Sequence, residues 1–154
     1  MRKHDPRKQD PKVALLRSIP ALAGRADKEL VELAPLVDEV SFEAGRRLMR
    51  EGAPAGEAFL IVEGRAEVVI GGQAVAEVGP GELVGEMALL DHNPRSATVT
   101  ALTPMRLFVM SPASFASILR QPAIGWRVAA NLAARLRKAE GAPTYDLPAT
   151  RSAR

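Results

Sequence analysis

The sequence predicts a mainly β domain with flanking helices: an eight-stranded jelly-roll β-barrel (a double-stranded β-helix), with an N-terminal helical segment and two C-terminal helices. Three observations predict it. From Val37 to Met110, short runs rich in Val, Leu, Ile and Phe alternate with glycine turns at Gly45, Gly52, Gly56, Gly64, Gly71-Gly72 and Gly79-Gly81, the texture of many short strands in a sandwich or barrel. On either side of that region the apolar residues recur at helical spacing instead. With 154 residues, 47% hydrophobic and 25% charged, the chain is long enough to bury one core without disulfide or metal staples. It has no cysteine, which excludes disulfides, thiolate catalysis and cysteine metal sites.

The elements follow in order. Residues 1–11 read as a disordered basic tail: with Lys12 just beyond, Arg2, Lys3, Arg7 and Lys8 outnumber Asp5 and Asp10, and two prolines interrupt the run. No aromatic residue is interleaved with the basic ones, so the tail reads as solvated rather than as a nucleic-acid or membrane contact. The domain proper spans 12–140. Val13-Ala-Leu-Leu opens a short helix, and a second starts with Asp27 as its cap and carries Leu30, Val31, Leu33 and Ala34 as an apolar stripe.

The barrel occupies about 37–110, with strands at 37–42, 46–50, 57–62, 65–70, 73–78, 82–84, 96–102 and 105–110. Along the seventh, Ala97, Val99 and Ala101 point one way and Ser96, Thr98 and Thr100 the other. The C-terminal helices cover about 111–140. Ser111-Pro112 caps the first, whose apolar face is Phe115, Ile118 and Leu119, and Pro122 starts the second, which Gly141 and Pro143 stop. That last helix gathers Ile124, Val128, Leu132 and Leu136 on one side, for packing on the barrel or for a dimer seam. Residues 141–154 read as a disordered tail, too short for a helix-turn-helix, so direct DNA binding is not expected. No apolar run approaches the roughly 20 residues of a membrane helix. The charged start Met1-Arg-Lys-His-Asp is followed by no apolar signal region, and the expectation is a soluble, cytoplasmic protein.

The chemistry concentrates between Gly79 and Val99. Gly79, Gly81 and Gly85 let the chain turn sharply and approach a ligand closely. Glu86-Met87-Ala88-Leu89-Leu90 is helix-forming but is cut off before Pro94, so it offers a turn or two with unpaired N–H groups at its start. Arg95 adds a planar cationic fork suited to phosphate oxygens, and Ser96 a hydroxyl. The acid Glu86 is repulsive beside a phosphate unless it has its own donor, such as a sugar hydroxyl. Phosphate with sugar points to a nucleotide. The plainer reading is an ion pair between Glu86 and Arg95 that ties a loop down, worth about 0–1 kcal/mol at a surface.

Gly85-Glu86-Met87-Ala88-Leu89-Leu90, a short loop and then Pro94-Arg95-Ser96-Ala97-Thr98-Val99 closely resemble the phosphate-binding cassette of cyclic nucleotide-binding domains. Phe42-Glu-Ala-Gly45, Glu51-Gly52 and Ile61-Val-Glu-Gly64 match that family's recurring glycines, so the resemblance runs from about Ile19 to Lys138. It implies a site of Gly85, Glu86, Met87, Ala88, Arg95 and Ser96: the acid on the ribose 2′-hydroxyl, the arginine on the cyclic phosphate, the helix amides completing the cradle. The family's last helix closes over the base, and Arg135 or a neighbour would cap it. The ligand implied is cAMP or cGMP, with serine at position 96 favouring cAMP, and no metal or other cofactor is implied. His92 is expected to be an exposed loop residue and Trp126 a packing residue.

Three other classes compete. A cupin-like metal enzyme would need clustered histidines, and the chain has only His4 and His92. A DNA-binding regulator would need a reader that the tail cannot supply. A nucleotide-independent interaction scaffold would keep the barrel and use the cassette residues for stability alone. The expectation is therefore a non-catalytic sensor that signals to a separate effector.

Overall fold

The computed structural model describes residues 5–19, 22–54, 56–86, 89, 92–122, 129–130 and 133–134. Eight strands form where short apolar runs meet glycine turns: β1 (Asp38–Phe42), β2 (Arg47–Met49), β3 (Ala58–Glu63), β4 (Ala66–Ile70), β5 (Gln73–Val78), β6 (Leu83–Val84), β7 (Thr98–Ala101) and β8 (Met105–Met110). All are antiparallel, in two four-stranded sheets of order β1-β8-β3-β6 and β2-β7-β4-β5. Strands adjacent in sequence mostly fall in different sheets or at distant positions, the wrapping of a jelly roll. Each expected strand is found within two residues of its expected ends.

Alternation explains the core. In β7, Val99 and Ala101 are buried while Thr98 and Thr100 are half-exposed, as a period of two requires. Val99 and Ala101 join Leu48, Phe59, Ile61, Val84 and Leu107 in the apolar cluster, with Phe42 set edge-to-face on Phe59 at 6.3 Å between ring centres. Gly64 lets the β3–β4 turn sit on the β7–β8 turn: its φ is +95°, and a Cβ there would collide with the Pro104 carbonyl.

The chain divides into two compact units, Met1–Ile118 and Leu119–Arg154. In the first, α1 (Pro11–Arg17) and α2 (Asp27–Leu33) precede the strands, and α3 (Pro112–Leu119) begins after them. Two expectations for the amino-terminal part are corrected. Residues 5–11, expected in a disordered tail, hold a 3-10 turn (Pro6–Gln9) and the start of α1. The Asp5 carboxylate accepts from the Arg7 N–H at 3.0 Å and that of Asp10 from the Lys12 N–H at 2.8 Å, each just ahead of a proline at the first turn position. The second correction concerns α2, whose cap position is Ala26: Asp27 is the first helical residue and pairs instead with Arg17 at 2.5 Å.

The apolar stripe of α2 is buried as expected, at Leu30, Val31 and Leu33, and Ala34 in the following 3-10 turn (Ala34–Leu36) is buried too. Lys12 of α1 reaches across, its Nζ donating to the carbonyls of Ala34 at 3.1 Å and Val37 at 2.8 Å. In α3, Ser111 Oγ accepts from the Ser114 N–H at 3.1 Å, and Phe115 and Ile118 are buried.

In the second unit, Pro122, Ala129, Ala130, Ala133 and Ala134 are helical. Ile124, Trp126, Val128, Leu132, Leu136 and the tail 141–154 lie outside the described residues. No helix among the described residues is long and apolar enough to cross a membrane.

Candidate functional site

The site is built where β6 ends and β7 has yet to begin. Val84 is buried in the core and Glu86 is helical, so the chain must reverse its backbone within one residue. Gly85 does this with φ +84°. Glu86 and Leu89 are helical, as the composition of 86–90 anticipates. Met87 and Ala88, expected to lend their amides, lie outside the described residues, as does Arg135.

Arg95 is fixed from two directions. Its main chain is pinned to the β2–β3 loop: the Gly52 N–H donates to the Arg95 carbonyl and the Arg95 N–H to the Ala53 carbonyl, both at 2.9 Å. Its side chain runs the other way. Nη1 donates to the Gly85 carbonyl at 2.9 Å, and Nη2 to the Glu57 carbonyl, at the head of β3, at 2.6 Å. These bonds explain the absence of a side chain at position 85, because a Cβ there would stand 2.6 Å from Nη1 and 3.1 Å from the Glu57 carbonyl oxygen.

Among the described residues, Glu86 and Arg95 are the buried charged side chains, 2% and 6% exposed. Burying a guanidinium is costly unless hydrogen bonds and opposite charges offset it. Burial accordingly pushes the Arg95 guanidinium below its ordinary pKa, while the carboxylates of Glu57 and Glu86 act in the opposite sense. It stays protonated, as arginine does in proteins generally. Two of its five N–H donors are taken by the two carbonyls.

Of the expected site residues, the fold thus brings Gly85, Glu86 and Arg95 together, with Ser96 next in the chain and exposed. His92 is exposed, with φ +58°. A groove of about 400 Å³ is lined by Gly52, Pro54, Leu89, His92, Asn93, Pro94 and Pro112, and none of the four site residues lines it. Sequence reasoning missed Glu57. Nothing in its spacing links it to Arg95; only the pairing of β3 with β6, Phe59 opposite Val84, brings the two neighbourhoods together.

Comparison with known proteins agrees with this geometry. A family model, Cyclic nucleotide-binding domain, matches residues 39–122. The chain is 32% identical over 108 residues to a cAMP-dependent protein kinase regulatory subunit of Emericella nidulans, a match covering 69% of this chain and 26% of that protein. It is 37% identical over 112 residues to the Pycsar effector protein XpPycTIR of Xanthomonas perforans, covering 71% and 37% respectively. Among solved structures, the catabolite activator protein of Thermus thermophilus superposes with a TM-score of 0.67 at 31% identity, covering 79% of this chain and 60% of that one. The chain spans only 26% and 37% of the length of these two curated relatives.

Proposed function

Because the chain belongs to the cyclic nucleotide-binding domain family, we propose that it is a non-catalytic sensor that binds a 3′,5′-cyclic nucleotide, cAMP in preference to cGMP, and signals to a separate partner protein. The observation that carries this reading is the buried pair of opposite charges, Glu86 and Arg95, beneath the Gly85 turn. Arg95 is assigned to the cyclic phosphate, Glu86 to the ribose hydroxyl, and Ser96 with the amides from Gly85 to Ala88 to the rest of the cradle. Serine at position 96, where members that favour cGMP often carry threonine, supports cAMP.

The signal is a population shift. A ligand that prefers the state with the C-terminal helices closed over the base draws the chain into it, with Arg135 assigned to cap the purine. The last helix is assigned to the partner contact or to a homodimer seam.

Calorimetric titration with cAMP and cGMP, with Arg95→Ala as control, tests this. Truncating one member of a desolvated charged contact costs about 2–5 kcal/mol, so Arg95→Ala should weaken binding by roughly one and a half to three and a half orders of magnitude. Equal affinity in the variant overturns the site. A second reading, a nucleotide-independent interaction scaffold, draws on the two carbonyl bonds of Arg95, which give that residue a structural role without any ligand. Absence of heat and of thermal stabilisation with either nucleotide would favour it.

A further inference from the structure

Glu57 stands beside the site without belonging to the cassette. Its main-chain carbonyl holds Arg95 Nη2 at 2.6 Å, so this residue is fixed against the guanidinium whatever its side chain does. The side chain is exposed, and among the described residues its carboxylate makes no hydrogen bond or ion pair. Because the Glu57 main chain is in direct contact with the guanidinium, its carboxylate stays within a side chain's length of Arg95 and acts on it in the same sense as that of Glu86. Glu86 is buried, and Glu57 is presented to solvent at the head of β3. An anion docking at Arg95 therefore meets one positive charge on which two carboxylates already act.

We propose that Glu57 is an affinity-setting residue for the anionic ligand: its solvent-facing carboxylate opposes the phosphate at Arg95 and holds binding weaker than the cradle alone would make it. This rests on the cyclic-nucleotide reading above. The physical consequence is a bias rather than a contact. Across water, unit charges separated by a few ångströms up to a Debye length change binding by about two- to fivefold, and salt screens the effect. Such a tuned site releases its ligand sooner and responds at a higher nucleotide concentration.

The side chain can be altered without touching the carbonyl that holds Arg95, so substitution isolates the charge. Full-length chain carrying Glu57→Gln, Glu57→Lys or Glu57→Asp is titrated with cAMP at low and at high ionic strength beside the unaltered protein. The expected result is a two- to fivefold lower Kd for Glu57→Gln at low salt, a larger fall for Glu57→Lys, little change for Glu57→Asp, and convergence of all four at high salt. Binding by the unaltered protein with Kd unmoved or raised in Glu57→Gln and Glu57→Lys overturns the proposal while leaving the cyclic-nucleotide reading in place. An equal tightening in Glu57→Asp overturns it as well, since the charge would then not be the cause. No binding by any of the four overturns the cyclic-nucleotide reading and this proposal together.

Discussion

Gly85, like Gly64, carries two constraints at once. Its φ of +84° is unfavourable for any L side chain, and Arg95 Nη1 occupies the place where a Cβ would go. Gly81 offers the matched comparison: φ +85°, but open space around a Cβ. Replacing either with alanine should cost about 1–2 kcal/mol of backbone strain in a urea melt. Only Gly85→Ala should also displace Arg95 and weaken cyclic-nucleotide binding by about tenfold or more in a direct titration. Equal affinities for the two variants would show that Arg95 tolerates the displacement. At this scale the residue types of the site were legible, because Gly85, Glu86, Arg95 and Ser96 fall in one short window. What the sequence could not show was where the guanidinium points, since the carbonyl of Glu57 lies 38 positions away along the chain.

At the scale of elements, the eight strands were legible because a two-residue period and glycine turns are local signals. The amino-terminal turn was hidden by charge: Asp5-Pro6 and Asp10-Pro11 are each a cap followed by a first-turn proline, yet the basic residues around them suggest a solvated tail. Lys12, counted among those charges, is in fact a clasp between α1 and the end of the α2 segment. Its ammonium bridges the two ends of the Ala34–Leu36 turn, donating to the Ala34 carbonyl, which also accepts the Val37 N–H at 3.4 Å, and to the Val37 carbonyl just past the turn. Hydrogen bonds from charged donors contribute about 1.5–3 kcal/mol each when well shielded. Lys12 is half-exposed, so Lys12→Met is expected to lower stability by about 1–2 kcal/mol in total. An unmoved denaturation midpoint would reduce the clasp to a surface contact. Gly64→Ala, which drives a Cβ into the Pro104 carbonyl, should be costlier, about 2–4 kcal/mol by the same measurement, because backbone rather than a flexible side chain stands in the way.

Across the whole β-roll, Arg95 joins segments that the two sheets hold apart. Its main chain is bonded to the loop that follows β2, a strand of one sheet, and its side chain to the head of β3 and the end of β6, both in the other. A phosphate held by Arg95, with a ribose held by Glu86, would load all three connections at once. Ligand that binds only the folded state adds stability by mass action, about 2.7 kcal/mol at a hundred times Kd. For a chain of this length that corresponds to a rise in melting temperature of roughly 5–10 °C. The same linkage predicts where protection appears: saturating cAMP should slow amide exchange at Gly52, Arg95 and the residues flanking Gly85, while α1 and α2, which carry none of these bonds, change little. Arg95→Ala should abolish both the thermal shift and the exchange pattern. If exchange slowed instead only in the amino-terminal helices, the nucleotide would be bound away from the cassette, and Arg95 would remain a brace between the sheets rather than a ligand contact.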